Sequence, residues 1–152
     1  MPTVKNRSYG LVPIAIDANG KRLYLLLRAY RNWDFPKGAA DGDETPLQAA
    51  SREFREETGM VEFAMPWGEV SKDTAIYANG KVASYFLAQV RKQELSLPIS
   101  EELGRPEHDE YRWVNTDEAA ALLPPRLQPI LAWAKSVTGI YASSCQTAYW
   151  RK

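Results

Sequence analysis

The chain has 152 residues, 45% hydrophobic and 25% charged, with a formal net charge of zero. That length buries a core without disulfide staples, and the balanced charge argues against a protein that lives on long nucleic acid, where a basic excess is usual. A single cysteine, Cys145, excludes an internal disulfide and a cysteine-rich zinc site.

Residues 11–16 form a short apolar run rich in β-branched side chains, and Asp17-Ala18-Asn19-Gly20 reads as a turn. Residues 23–28 supply a second apolar strand, so 11–28 is expected to be a hairpin. Residues 31–42 mix Asn, Asp, Pro and Gly and are expected to be a loop with special backbone demands. A helix is expected to begin at Thr45. Thr45 is a good N-cap, Pro46 suits the first helical position, Gln48 completes a capping box, and Gly59 falls where a left-handed C-cap belongs. Residues 75–77 and 81–90 flank Asn79-Gly80, a strong hairpin signal. Residues 111–114 read as a strand and 115–123 as a helix capped by Asn115 or Thr116. A further helix covers 127–137 with Pro129 in its first turn. Residues 138–152 have no clear assignment. Strands on both sides of a long helix, with helices closing the chain, predict an α/β layered domain with a mixed sheet, spanning 1–152 as one unit.

Glu53, Glu56 and Glu57 recur at spacings of three and four and therefore share a helix face, while Leu47, Ala50 and Phe54 turn toward the core. Like charges at these spacings oppose helix formation. By itself such a face is more often a solvated, ion-paired surface than a site. Its surroundings reverse that judgement. Gly38, Glu44, Arg52, Glu53, Glu56, Glu57 and Gly59 fall in the pattern G-x5-E-x7-R-E-U-x-E-E-x-G-U, with Phe54 and Met60 at the apolar positions. Seven fixed positions match by chance roughly once in 10⁸ starting points, so coincidence is a poor explanation.

Residues 38–60 match the Nudix box, and the chain is identified by that resemblance as similar to Nudix hydrolases. The resemblance implies a Nudix-type α/β/α sandwich with a central mixed β-sheet. It also implies metal-binding carboxylates at Glu53, Glu56 and Glu57. Clustered carboxylates suit Mg²⁺, with Mn²⁺ as a substitute, because hard cations take oxygen ligands and Mg²⁺ is shared with substrate phosphates. Gly38 is expected to permit a tight turn that brings its backbone carbonyl to the metal. Glu44 and Arg52 are expected to pair as architecture. Catalysis would be attack of activated water on a phosphoanhydride, with Glu56, Glu57 or a carboxylate outside the helix taking the proton.

Glu107 is the outside candidate. Glu107-His108 precedes Tyr111-Arg112-Trp113-Val114, and this segment resembles one in asymmetric diadenosine tetraphosphate (Ap4A) hydrolases that supplies a further glutamate facing the metals. Glu107 is thus expected as metal ligand or general base and His108 as a substrate contact, although a lone histidine here is more often structural. Trp33-Asp34-Phe35-Pro36-Lys37-Gly38 resembles the W-x-x-P-K-G approach to the box in the same hydrolases, and Lys37 suits a phosphate oxygen. The strand at 85–90 resembles one whose tyrosine stacks on adenine, which marks Tyr85. A plainer alternative is that Tyr85 and Phe86 only alternate between core and solvent. Other cations, Arg28, Arg31, Lys72, Lys81 and Arg91, are spread over segments near the expected site. Ala39-Ala40 departs from the His or Gly common after the box glycine, and Trp67 has no assigned role.

The expected function is Mg²⁺-dependent hydrolysis of a nucleotide polyphosphate, foremost Ap4A to ATP and AMP. The alternatives are an RNA 5′-pyrophosphohydrolase or less selective nucleotide pyrophosphatase, and a non-catalytic nucleotide-binding module. The expected partner is a small nucleotide or at most the 5′-triphosphate end of an RNA. The polar N-terminal stretch and the absence of a bilayer-length apolar run lead to a cytoplasmic, membrane-free expectation, as a monomer or weak dimer.

Overall fold

Leu25, Leu26 and Leu27 are all fully buried, although successive side chains on a strand point to opposite faces. Such burial requires a sheet covered on both sides. The computed structural model, which describes residues 3–141 and 150–151, has that arrangement. Strands β1 (Asn6–Ile16), β2 (Arg22–Ala29), β3 (Asn32–Asp34) and β4 (Lys37–Ala39) precede helix α1 (Pro46–Thr58). Then come β5 (Phe63–Ala64), β6 (Ser71–Asp73), β7 (Lys81–Gln89) and β8 (Glu110–Val114). The chain closes with α2 (Thr116–Leu122), a 3₁₀ turn (Pro125–Leu127), α3 (Gln128–Tyr141) and β9 (Trp150–Arg151).

The sheet runs β3-β2-β1-β7-β5-β9, with β4 paired to β1, β6 to β7 and β8 to β2. It is mixed, as expected: β1 and β7 run parallel from Asn6↔Lys81 to Ile14↔Gln89, and the other ladders are antiparallel. On its partner side β1 changes neighbour, pairing with β4 over Ser8, Tyr9 and Gly10 and with β2 over Ile14, Ala15 and Ile16. Pro13 falls in the gap between those ladders, where its missing N–H is tolerated.

One sheet face packs on α1. Leu11, Leu25, Phe86 and Ala88 join Ala50 and Phe54 there. The opposite face packs Val12, Ile14, Leu26, Tyr85 and Leu87 against Ala119 of α2 and Ile130, Leu131 and Ala134 of α3. Trp67, without a role in the sequence, is a member of this second core. Among the described residues no helix is long and apolar enough to cross a membrane.

Helix α1 has the boundaries its sequence signals. Thr45 Oγ1 accepts from the Gln48 N–H at 3.2 Å while Gln48 Oε1 accepts from the Thr45 N–H at 2.9 Å. Gly59 takes φ 78° and donates to the Arg55 carbonyl at 2.9 Å. Asn115, rather than Thr116, caps α2, with a reciprocal bond to Glu118.

Several expectations need correction. Residues 31–42 are not merely a loop; they contain β3 and β4. The hairpin partner of β7 is β6, not residues 75–77, of which only Tyr77 bridges to Lys81. Ala78, Asn79 and Gly80 all have positive φ, so the turn is wider than a two-residue Asn-Gly hairpin. The unassigned stretch 138–152 begins as the end of α3, and Trp150–Arg151 pairs with β5. Residues 142–149, with Cys145, and residue 152 lie outside the described residues.

Phe54 is fully buried and meets Phe63 edge-on with centroids 6.0 Å apart. Replacing it by alanine removes a fully buried apolar contact of α1 with the sheet. Phe54→Ala should lower unfolding free energy by about 3–5 kcal/mol, measured by urea denaturation.

Candidate active site

Arg52 gathers the start of the site. Its Nε donates to Glu44 at 2.9 Å, and one terminal nitrogen donates to Glu53 at 2.9 Å and Glu56 at 3.0 Å. The other terminal nitrogen donates to the Ala39 carbonyl at 2.8 Å and to Glu44 at 3.1 Å. Glu44 also accepts from the Asp41 N–H at 2.7 Å. The Glu44–Arg52 pair is therefore present and ties the loop to α1. Bonding to Arg52 holds the Glu44 carboxyl below its ordinary value, and bonding to Glu44 foremost raises Arg52.

Gly38 acts differently from expectation. It has no left-handed φ and lies in β4 opposite Tyr9 of β1. What it provides is space. A Cβ there would stand 2.1 Å from Glu53 Cδ and 2.4 Å from each carboxylate oxygen, so only glycine admits Glu53 against the strand.

Glu53, Glu56 and Glu57 share the expected side of α1 but differ in burial, their side chains being 15%, 52% and 3% exposed. Glu57 is enclosed, and its Oε2 has no hydrogen-bond partner among the described residues. Burial first, then hydrogen bonding to Glu53 and the charge of Glu107, push the Glu57 carboxyl well above its ordinary value. Glu107 is exposed as a residue but partly desolvated at its carboxyl, which with the charge of Glu53 raises it too. His108 Nε2 stands 3.8 Å from Glu57 Oε1, beyond hydrogen-bond length. Its Nδ1 is buried without a partner among the described residues, and desolvation lowers its pKa. One ligand atom each from Glu57, Glu107 and His108 lies within 4.8 Å of the others.

These groups open on a cleft of about 590 Å³ lined by Lys37, Gly38, Glu53, Glu56, Glu57 and Glu107, with the loop residues Pro98, Ile99, Ser100, Glu101 and Glu102 opposite. Oxygen donors predominate, and a buried carboxylate oxygen without a partner faces others of like charge. A hard divalent cation fits that set. Of the dispersed cations considered from the sequence, Lys37 alone lines the cleft. Arg28 pairs with Glu110 at 3.1 Å and Arg91 with Glu62 at 3.3 Å.

Tyr85 is corrected. It is fully buried, lies edge-on to Phe35, and donates its hydroxyl to Asp34 at 2.8 Å. No ring face is free to stack a base. Phe86 is also buried, so the alternation between core and solvent fails as well: both faces of β7 are covered. The sequence reading missed Asp34, Arg126 and the loop at 98–102. A carboxylate three residues before Lys37 was a faint signal for Asp34. Arg126 and the loop carried none, because their places depend on tertiary packing.

A carboxylate-bearing helix on a two-faced mixed sheet, with an acidic cleft at its flank, defines an α/β domain whose cleft has the donor set of a divalent-cation site. The NUDIX domain model matches residues 8–134, and the chain belongs to that family. An RNA pyrophosphohydrolase of Shewanella sediminis (strain HAW-EB3) is 29% identical over 98 residues, 55% of this chain and 56% of that protein. One from Xanthomonas campestris pv. campestris (strain B100) is 32% identical over 97 residues, 55% of this chain and 47% of that protein. The chain thus spans about half the length of the curated relatives it matches. Among solved structures, a C. elegans Ap4A hydrolase in a binary complex is 23% identical with TM-score 0.71, covering 89% of this chain and 99% of that one. Another C. elegans Ap4A hydrolase structure is 27% identical with TM-score 0.61, covering 86% and 96%.

Two outcomes follow from this geometry. Gly38→Ala should displace the flexible Glu53 carboxylate at little cost to the fold and weaken divalent-cation binding in calorimetry; unchanged cation affinity would show that Glu53 is not held by this contact. Glu57 should make metal-free protein pH-sensitive. Its folded pKa is raised, so the folded state binds the extra proton and stability falls as pH climbs from the ordinary value of 4.5 through the folded one. Urea midpoints in chelator should decline over that window, and Glu57→Gln should flatten the decline.

Proposed function

We propose that this chain is a Mg²⁺-dependent hydrolase of nucleotide polyphosphates, with Ap4A cleaved to ATP and AMP as its leading reaction. The observation that carries the reading is the convergence of Glu53, Glu57 and Glu107 beside Lys37 in one cleft. Glu53, Glu56, Glu57 and the Gly38 carbonyl would hold the cation, with Glu107 facing it as the base and His108 close enough to join or orient that group. Bound Mg²⁺ supplies neutralisation of phosphate charge and lowers the pKa of a coordinated water.

The chain's own residues perform the remaining work. Lys37 contacts a phosphate oxygen as a compact charge. Glu107, at the open side of the cleft, accepts a proton from the attacking water as general base. Glu57 keeps the inner wall anionic once a cation is bound. Arg52 and Glu44 fix the loop so that Glu53 and Glu56 keep their places.

The second reading is removal of pyrophosphate from RNA 5′ ends, favoured by the activity named for the Shewanella and Xanthomonas relatives. Glu101 and Glu102 on the cleft rim weigh against an extended polyanion.

Purified protein with Mg²⁺ should release ATP and AMP from Ap4A when Ap4A, ADP-ribose and 5′-triphosphorylated RNA compete in one reaction read by mass. Preferential conversion of the RNA would transfer support to the second reading. Glu56→Gln should weaken cation binding and sharply reduce turnover without shifting the melting temperature.

A further inference from the structure

Lys37 lies among the cleft carboxylates Glu53, Glu56, Glu57, Glu101, Glu102 and Glu107, yet among the described residues its ion pair is with none of them. Its ammonium lies 3.4 Å from Asp34 Oδ2. Asp34 is itself restrained from several sides. Oδ1 accepts from the Tyr85 hydroxyl at 2.8 Å and from the Phe35 N–H at 2.7 Å. Oδ2 accepts from Arg126 at 2.9 Å, and the Arg126 guanidinium rests over the Tyr77 ring at 4.5 Å. The Asp34 side chain is only 13% exposed. Strand β3, strand β7 and the 3₁₀ turn thus converge on one carboxylate whose contact with the cleft is Lys37.

A lysine has a long flexible stem, and unrestrained it would settle into the denser negative charge of the glutamates. There it would compete with a divalent cation and be lost to the substrate. We propose that Asp34, anchored by Tyr85 and Arg126, is a positioning residue that holds Lys37 at the cleft wall, where it meets substrate phosphate without invading the carboxylate cluster. This rests on the hydrolase reading for its kinetic consequences, but not for its consequence for cation binding. It also gives Tyr85 a role from within the core.

The geometry separates Asp34 from a residue that merely stabilises the fold, because its effect should pass through Lys37. Asp34→Asn keeps an acceptor for Tyr85 and Phe35 while removing the charge that attracts Lys37. In the intact chain it should raise KM for Ap4A about tenfold, with kcat changed less, the size expected for loss of one charge-assisted contact. It should also weaken Mg²⁺ or Mn²⁺ binding severalfold in calorimetry without substrate. Both effects should vanish in a Lys37→Met background, where Asp34→Asn adds nothing further. Tyr85→Phe, which removes one anchor and keeps the ring, should show the same pattern more weakly. If Asp34→Asn changes KM or cation affinity equally with and without Lys37, the proposal is wrong. The same holds if neither quantity changes in folded Asp34→Asn and Tyr85→Phe proteins. If wild type hydrolyses none of the nucleotides, the hydrolase reading fails by itself, and the calorimetric comparison still decides the role of Asp34.

Discussion

The close approach of Glu53 to Gly38 is the contact on which the site depends. Strand β4 and helix α1 meet there with a carboxylate where a side chain of β4 would otherwise stand. Arg52 makes that approach tolerable by bonding Glu53, Glu56 and Glu44 at once and by reaching the Ala39 carbonyl beside it. The loop between β4 and α1 is thus closed by a charge network. Its members come from a single stretch of sequence, which explains why a fixed spacing of residues can describe it.

Holding carboxylates together has a consequence inside the helix. Glu57, one turn on from Glu53, is enclosed and faces Glu107 and His108 across the cleft. The sheet makes this possible: α1 is seated on one apolar face by Ala50 and Phe54, so Glu57 cannot turn out into water. Core packing therefore enforces an electrostatic arrangement that the isolated helix would avoid. The opposite core has a comparable effect on Lys37, since Tyr85, buried against Phe35, fixes Asp34 from below.

The parts of the fold and site legible in the sequence are those encoded locally. The α1 boundaries rest on Thr45, Gln48 and Gly59, all within a few residues of the events they control. The box positions lie within residues 38–60 for the same reason. Segments β3 and β4 escaped because they have three residues each and sit among Pro and Gly that signal turns. Tyr85 was misjudged because alternation distinguishes core from solvent only on a sheet with one wet face, and both faces of β7 are dry. Asp34 and Arg126 are 92 positions apart in sequence. Nothing in either neighbourhood announces that the turn after Pro124-Pro125 closes over β3.

Charge balance in the cleft explains how these pieces work together. The lining carries Glu53, Glu56, Glu57, Glu101, Glu102 and Glu107 against Lys37, so a polyphosphate entering alone would meet a repelling wall. A divalent cation reverses that field at the inner carboxylates, while Lys37 offers positive charge at the wall. The two must remain separate to be useful, because a lysine bridged to the glutamates would cancel the charge meant for the cation. Asp34 takes the lysine's attraction upon itself. On the proposed hydrolase reading, anion binding at this acidic cleft would then depend on the cation as well as on the substrate.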